Sequence, residues 1–220
     1  MIGFYNYTVI LTYVSLIISS VGIGFAATGN PMAAMFCLMA SGVCDMFDGM
    51  IARTRKKSTE DEKRFGIQLD SLCDIVCFGV LPAATGVAMA QGQSTAVQVA
   101  AWAIGGLFIL CALIRLAYFN VTEETRQASE GGRRTHYMGV PVTTSAMVFP
   151  LMYALSLLLP TPLDLWIYPA FLLITAVAFI LPVKVKKPHG GHTEAGELGL
   201  RVSATGSVLP CGASARWQKD

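Results

Sequence analysis

The chain has 220 residues, 54% of them hydrophobic and 14% charged, with a formal net charge of +2. An ordinary water-soluble domain carries about 45–50% apolar residues even with glycine counted, so the composition points to a membrane protein. A near-neutral balance with no long basic tract interleaved with aromatics excludes nucleic acid as the partner.

A bilayer core of ~30 Å takes about 20 helical residues per crossing. Six apolar stretches have roughly that length: residues 5–27, 31–53, 67–90, 96–119, 140–159 and 163–183. Each is expected to be a helix, because a lone segment in lipid must satisfy its own backbone polar groups. The first stretch has no basic flank before it and no small-residue cleavage site, which reads as a span rather than a removable leader. Lys and Arg gather in residues 53–64, in 126–134 and at Lys184, Lys186 and Lys187, whereas the connections near Gly29, Gln93 and Thr161 carry none. The bias of basic residues toward the cytoplasm then predicts an all-α bundle of six transmembrane helices in the cell membrane, with both termini and the charged loops on the cytoplasmic side. After Pro188 the chain turns to Gly, Ser, Ala and scattered charge. Residues 1–188 therefore read as the membrane domain and 189–220 as a disordered cytoplasmic tail.

Cys37, Cys44, Cys73, Cys77 and Cys111 fall in apolar segments without CxxC spacing and read as small buried hydrophobes. A thiolate metal site from Cys73 and Cys77 is the weaker reading, because the acids nearby suit harder cations.

A carboxylate inside an apolar helix costs roughly 2.5–3.5 kcal/mol, so each one calls for a partner or a task. Asp45 and Asp48 lie three apart near the end of the second stretch, and Asp70 and Asp74 four apart near the start of the third. Both spacings put a pair on one helix face, and a short connection between antiparallel helices brings the pairs to similar depth. Four carboxylates so placed repel unless cations intervene. A donor set of hard oxygens without histidine selects Mg²⁺ or Mn²⁺ over Zn²⁺ or copper. Gly49, Ala52 and Gly66 accompany the acids and leave room for a flat ring or a phosphate. Two other readings stay open: ion pairs with Arg53, Arg55, Lys56 or Lys57, and a divalent-ion or proton transporter. The transporter reading expects acids spread through the membrane depth.

The run Asp45-Met46-Phe47-Asp48-Gly49-Met50-Ile51-Ala52-Arg53, followed by Gly66-Ile67-Gln68-Leu69-Asp70-Ser71-Leu72-Cys73-Asp74, resembles the DxxDGxxAR and GxxxDxxxD signature of the CDP-alcohol phosphotransferases. All eight fixed positions are present. The resemblance implies two divalent ions held by Asp45, Asp48, Asp70 and Asp74, with Asp74 also the general base. It implies a CDP site lined by Gly49, Ala52 and Gly66, with Arg53 on a phosphate, direct attack by the acceptor, and a homodimer.

Further along, Ile114-Arg115-Leu116-Ala117-Tyr118-Phe119-Asn120-Val121 and Tyr137-Met138-Gly139-Val140-Pro141 are similar to the RLARFN and GLP-type elements of the family's serine-using branch. Tyr118 stands where that branch has Arg. Leu11-Thr12-Tyr13-Val14-Ser15 is similar to its opening LTxxN, with Ser15 in place of Asn. These likenesses imply CDP-diacylglycerol as donor and L-serine as acceptor, with Arg115 on the serine carboxylate and Asn120 either orienting the acceptor or capping the fourth helix. The alternative acceptors are inositol phosphate and glycerol 3-phosphate, for which Arg126, Arg133 and Arg134 offer a basic cluster. His136 in the same loop reads as a surface residue.

Overall fold

The computed structural model describes residues 7–54, 59–129, 136–138, 140–158, 163–181 and 184–186, all within the compact unit Met1–Lys187. The tail expected after Pro188 lies outside the described residues.

Helix α1 (Tyr7–Ala27) and helix α2 (Pro31–Thr54) form a tight hairpin. Gly29 closes α1 at φ +79°, a conformation that suits a residue without Cβ. Asn30 then caps α2, its Oδ1 accepting from the Ala33 N–H at 3.3 Å, and Pro31 takes the first helical position, where its missing N–H costs nothing. Helix α3 (Glu60–Asp74) passes without a break into a π-helical turn, Ile75–Val80, and then into α4 (Leu81–Met89). The 35-residue α5 (Thr95–Ser129) follows, then a 3₁₀ turn (Val142–Thr144), α6 (Ser145–Ser156) and α7 (Leu163–Ile180). A short antiparallel ladder pairs β1 (His136–Met138) with β2 (Lys184–Lys186), His136 opposite Lys186, and ties the connection after α5 to the segment after α7. The all-helical expectation omitted this ladder.

Two helices are longer than hydropathy alone predicts. Helix α3 starts at Glu60 rather than Ile67 because of a capping box: Thr59 Oγ1 accepts from the Glu62 N–H at 3.3 Å, and Glu62 Oε2 accepts from the Thr59 N–H at 3.2 Å. The acids Glu60, Asp61 and Glu62 also favour the positive end of the helix. Lys63 and Arg64, expected in a loop, are thus helical. Helix α5 runs ten residues past Phe119, since the polar sequence there contains neither Gly nor Pro before Gly131. At 1.5 Å per residue, α5 is about 52 Å long and the α3–α4 run about 45 Å. Both exceed a ~30 Å hydrocarbon core, so the start of α3 and the end of α5 reach beyond it.

Among the described residues, four helices have the length and hydropathy to cross a bilayer: Val9–Ala27, Pro31–Asp48, Asp61–Met89 and Thr95–Thr125. Two further apolar helices follow: α6, with its 3₁₀ turn, covers Val142–Ser156 of the span expected at 140–159, and α7 covers Leu163–Ile180 of the one expected at 163–183. In α6 the apolar stretch gives up its first residues to the 3₁₀ turn and its last to a turn after Ser156. Large apolar side chains such as Ile17, Phe36, Trp102, Leu113, Met147 and Ile174 face outward. Such a surface is stable in lipid, and the chain is a multi-pass membrane protein.

Phe108 sits at the centre of the bundle, edge-on to Phe149 with ring centroids 5.3 Å apart and 5.7 Å from Phe179. Phe149 in turn meets Tyr168 at 5.4 Å, and the buried Tyr168 hydroxyl donates to the Pro82 carbonyl at 3.0 Å. Close approach between helices depends on missing side chains. A Cβ on Gly42 would lie 2.5 Å from the Ala146 Cβ on α6, and one on Gly22 would lie 2.7 Å from the Cys37 Cβ. Gly42→Val is therefore expected to push α2 from α6 and cost about 1–3 kcal/mol, read as a lowered Tm in detergent. An unchanged Tm would show that the contact yields freely.

Candidate metal centre and active site

Asp45 lies in the second half of α2, and Asp70 and Asp74 end α3 one turn apart. Each offers a carboxylate oxygen, and these three atoms lie within 4.8 Å of one another. At an effective dielectric of about 20, two unit charges at that range repel by ~3 kcal/mol. Three acids in one place therefore repel unless protons or a cation stand between them, and together they could hold a metal ion. The donors are all carboxylate oxygens, at a spacing that divalent ions bridge, so the residues present fit Mg²⁺ or Mn²⁺. This is the juxtaposition expected of the two acidic pairs, reached by three of the four.

Asp48 is turned aside. It is only 9% exposed, and its Oδ2 accepts a hydrogen bond from Thr12 Oγ1 at 3.2 Å. Three residues after Asp45, its side chain is rotated about 60° around α2 and so faces α1. It remains within electrostatic reach of Asp45, Asp70 and Asp74.

Thr12 opens a buried polar seam that the sequence reading missed. Ser15 and Ser19 follow it on the same face of α1, and both hydroxyls meet Ser41 Oγ on α2, at 2.8 and 2.9 Å. Ser15 Oγ also contacts Cys77 Sγ at 3.6 Å, Cys73 Sγ donates to the Thr12 carbonyl at 3.3 Å, and the two thiols lie 3.5 Å apart. Cys73 and Cys77 are buried, as expected, but they serve as weak hydrogen-bonding partners as well as filler. The signal was the i, i+3, i+7 recurrence of Thr12, Ser15 and Ser19 within an otherwise apolar helix. Ser15, which stands where the resembling element has Asn, is thereby accounted for. The π-helical turn starts at the residue after Asp74 and carries Cys77 to this seam, a placement common for such turns at functional sites.

Asn120 does not cap a helix, because α5 continues to Ser129. Its Nδ2 donates instead to Ser71 Oγ at 2.7 Å, joining α5 to α3 next to Asp70. Arg115 is 8% exposed, and its Nε donates to the Val140 carbonyl at 3.1 Å, which anchors the segment leading into α6. Around Gly66 an added Cβ would meet nothing within 4 Å, so the space beside it is open. Gly49, Ala52 and Arg53 are helical in α2, but their side chains lie outside the described residues, as do those of Arg126 and His136. Arg55, Lys56, Lys57, Arg133 and Arg134 lie outside entirely. Between the projecting parts of α3 and α5 is a cleft of about 810 Å³ that includes Asp70, Ser71 and Asn120 in its wall.

Curated proteins similar to this chain carry consistent names. A CDP-diacylglycerol--serine O-phosphatidyltransferase of Saccharomyces cerevisiae is 40% identical over 136 residues, 59% of this chain and 45% of the relative. One from Mycobacterium leprae is 31% identical over 185 residues, 81% of this chain and 57% of the relative. An archaetidylserine synthase of Methanothermobacter thermautotrophicus is 29% identical over 125 residues, 57% of this chain and 48% of the relative. The chain spans about half the length of the curated relatives it matches. The family model described as CDP-alcohol phosphatidyltransferase matches residues 5–182, which takes in the whole acidic centre and every described helix. With eight of eight signature positions present and three of its acids converging on one point, the chain belongs to the CDP-alcohol phosphatidyltransferase family.

Proposed function

We propose that this chain transfers the phosphatidyl group of CDP-diacylglycerol to the hydroxyl of L-serine, releasing CMP. The observation that carries the reading is the convergence of Asp45, Asp70 and Asp74 within 4.8 Å in a chain of this family. The names of its relatives support serine as the acceptor. In the reaction the serine oxygen bonds to the phosphorus next to diacylglycerol, the bond from that phosphorus to the bridging oxygen breaks, and CMP leaves with the electron pair. Asp45, Asp48, Asp70 and Asp74 hold two Mg²⁺ or Mn²⁺ ions, and Asp74 takes the proton from the attacking hydroxyl. Bound there, divalent ions neutralise the diphosphate and stabilise the departing phosphate charge. Gly49, Ala52 and Gly66 leave room for the nucleotide, and Arg53 holds a phosphate.

Six membrane crossings, both termini in the cytoplasm, an active site on the cytoplasmic side and a homodimer complete the proposal. The lipid tails stay in the bilayer while serine enters from water. The basic residues of 53–64 and 126–134 support that orientation. An ion-transport role expects acids spread through the membrane depth, whereas these three share one site.

The test is direct. Purified protein given CDP-diacylglycerol and Mn²⁺ is expected to release CMP only with serine, and not with glycerol 3-phosphate or inositol phosphate. CMP release with a phosphate-bearing acceptor in place of serine would overturn the assignment, as would metal uptake into sealed vesicles without CMP.

Thr12 enters this reading as a positioning residue. Its hydroxyl orients Asp48, and loss of such a partner typically lowers metal affinity 10–100-fold. Thr12→Val is expected to raise the Mn²⁺ concentration for half-maximal CMP release by about that factor, with Thr12→Ser restoring it. A wild-type Mn²⁺ requirement in Thr12→Val would show that Asp48 holds its position without the bond.

A further inference from the structure

The cleft between α3 and α5 carries a charge pattern that the acidic centre does not explain. Its floor holds Asp70, Ser71 and Asn120, with α3 and α5 bridged by the 2.7 Å hydrogen bond from Asn120 to Ser71. Glu123 and Glu124 follow Asn120 by three and four residues and line the same cleft. That spacing keeps them on Asn120's face, about 4.5–6 Å further along α5. The opposite wall carries Gln68 one turn before Ser71, then Arg64 and Lys63 a further turn out. The cleft thus pairs two carboxylates on one wall with two cations on the other, above a neutral amide and hydroxyl beside Asp70.

From this arrangement we propose that the cleft is the acceptor site and is built for a zwitterion: Glu123 and Glu124 of α5 receive an ammonium group, and Lys63 and Arg64 of α3 receive a carboxylate. This rests on the serine reading above and deepens it. An amino acid the size of serine places its hydroxyl within one helical turn of both its charged groups. A molecule reaching Asp70 with its hydroxyl therefore presents its ammonium at the level of Glu123 and Glu124, while the long, flexible Lys63 and Arg64 side chains reach back to its carboxylate. Two glutamates in the wall repel a phosphate dianion, so the same pattern disfavours glycerol 3-phosphate and inositol phosphate. Arg115, the cation expected from sequence to hold the carboxylate, is not among the described residues that line this cleft, and its Nε is given to Val140. A competing reading gives these charges only to contacts within the protein, in which Lys63 and Glu123 do engage. It predicts no change in acceptor discrimination when they are neutralised.

Two serine analogues separate the walls: 3-hydroxypropanoate lacks the ammonium, and ethanolamine lacks the carboxylate. CMP release from CDP-diacylglycerol is measured with each at saturating Mn²⁺. Glu123→Gln and Glu124→Gln, singly and together, are expected to raise the serine KM at least tenfold with the CDP-diacylglycerol KM unchanged. Their kcat/KM preference for serine over 3-hydroxypropanoate should fall at least tenfold. Lys63→Gln and Arg64→Gln are expected to erode the preference for serine over ethanolamine instead. Tm and CDP binding identify the folded variants in which these ratios are read. If the wild type releases CMP with serine but neither ratio moves in the folded variants, the zwitterion site is wrong and the proposed function stands. If the wild type releases no CMP with serine, both fall.

Discussion

Asp74→Asn is expected to lower serine-dependent CMP release by about 10²–10⁴-fold, the usual contribution of a positioned general base, while the protein still binds CDP. Asp74 is the residue at which α3 gives way to the π-helical turn, and its carboxylate shares the three-acid site with Asp45 and Asp70. In the proposed reaction it takes the proton from the serine hydroxyl. Asparagine keeps the shape and one oxygen but cannot take a proton. Separate measurements of turnover and of CDP binding distinguish loss of the base from collapse of the site. Near wild-type turnover in this variant would place the base on another residue.

Metal removal is expected to have an equally large effect. Chelation should abolish CMP release, and Mg²⁺ or Mn²⁺ should restore it, because three carboxylate oxygens within 4.8 Å are hard donors suited to those ions. A second readout does not depend on turnover. An ion that binds the folded protein alone, present at a hundred times its Kd, stabilises by about 2.7 kcal/mol. Mn²⁺ should therefore raise the Tm of the wild type in detergent. Asp45→Asn combined with Asp70→Asn should abolish that shift, because the mutual repulsion that a cation relieves is gone. A Tm shift that persists in the double variant would put the bound ion elsewhere.

Much of this site was legible before any tertiary structure. The 3.6-residue period puts Asp70 and Asp74 on one face of a helix wherever that helix packs. A carboxylate in an apolar segment demands an explanation in lipid whatever its neighbours. The family signature then named the acids and the small residues together. Helix ends were less legible, because hydropathy marks where lipid contact begins and not where a helix does. Thr59 and Glu62 start α3 seven residues before the apolar stretch, a signal present in the sequence as a capping box but overlooked beside the charge cluster. Asn120 shows the same error in reverse. Placed at an apolar boundary it left a cap open as one of two readings, yet the helix runs on and its amide donates to Ser71.

By itself the sequence determined the membrane class, the helical character of the spans and the identity of the acids, because composition, periodicity and spacing are properties of single segments. Tertiary structure alone decided that Asp45 meets Asp70 and Asp74 while Asp48 turns to Thr12. It also decided that the outer ends of α3 and α5 enclose a cleft of mixed charge. The physical reason is that a helix's own period orders its side chains around its axis but leaves its rotation and depth against a neighbour undetermined. Those are set by contacts between distant segments, such as Gly42 against Ala146 and the Ser15–Ser41 seam.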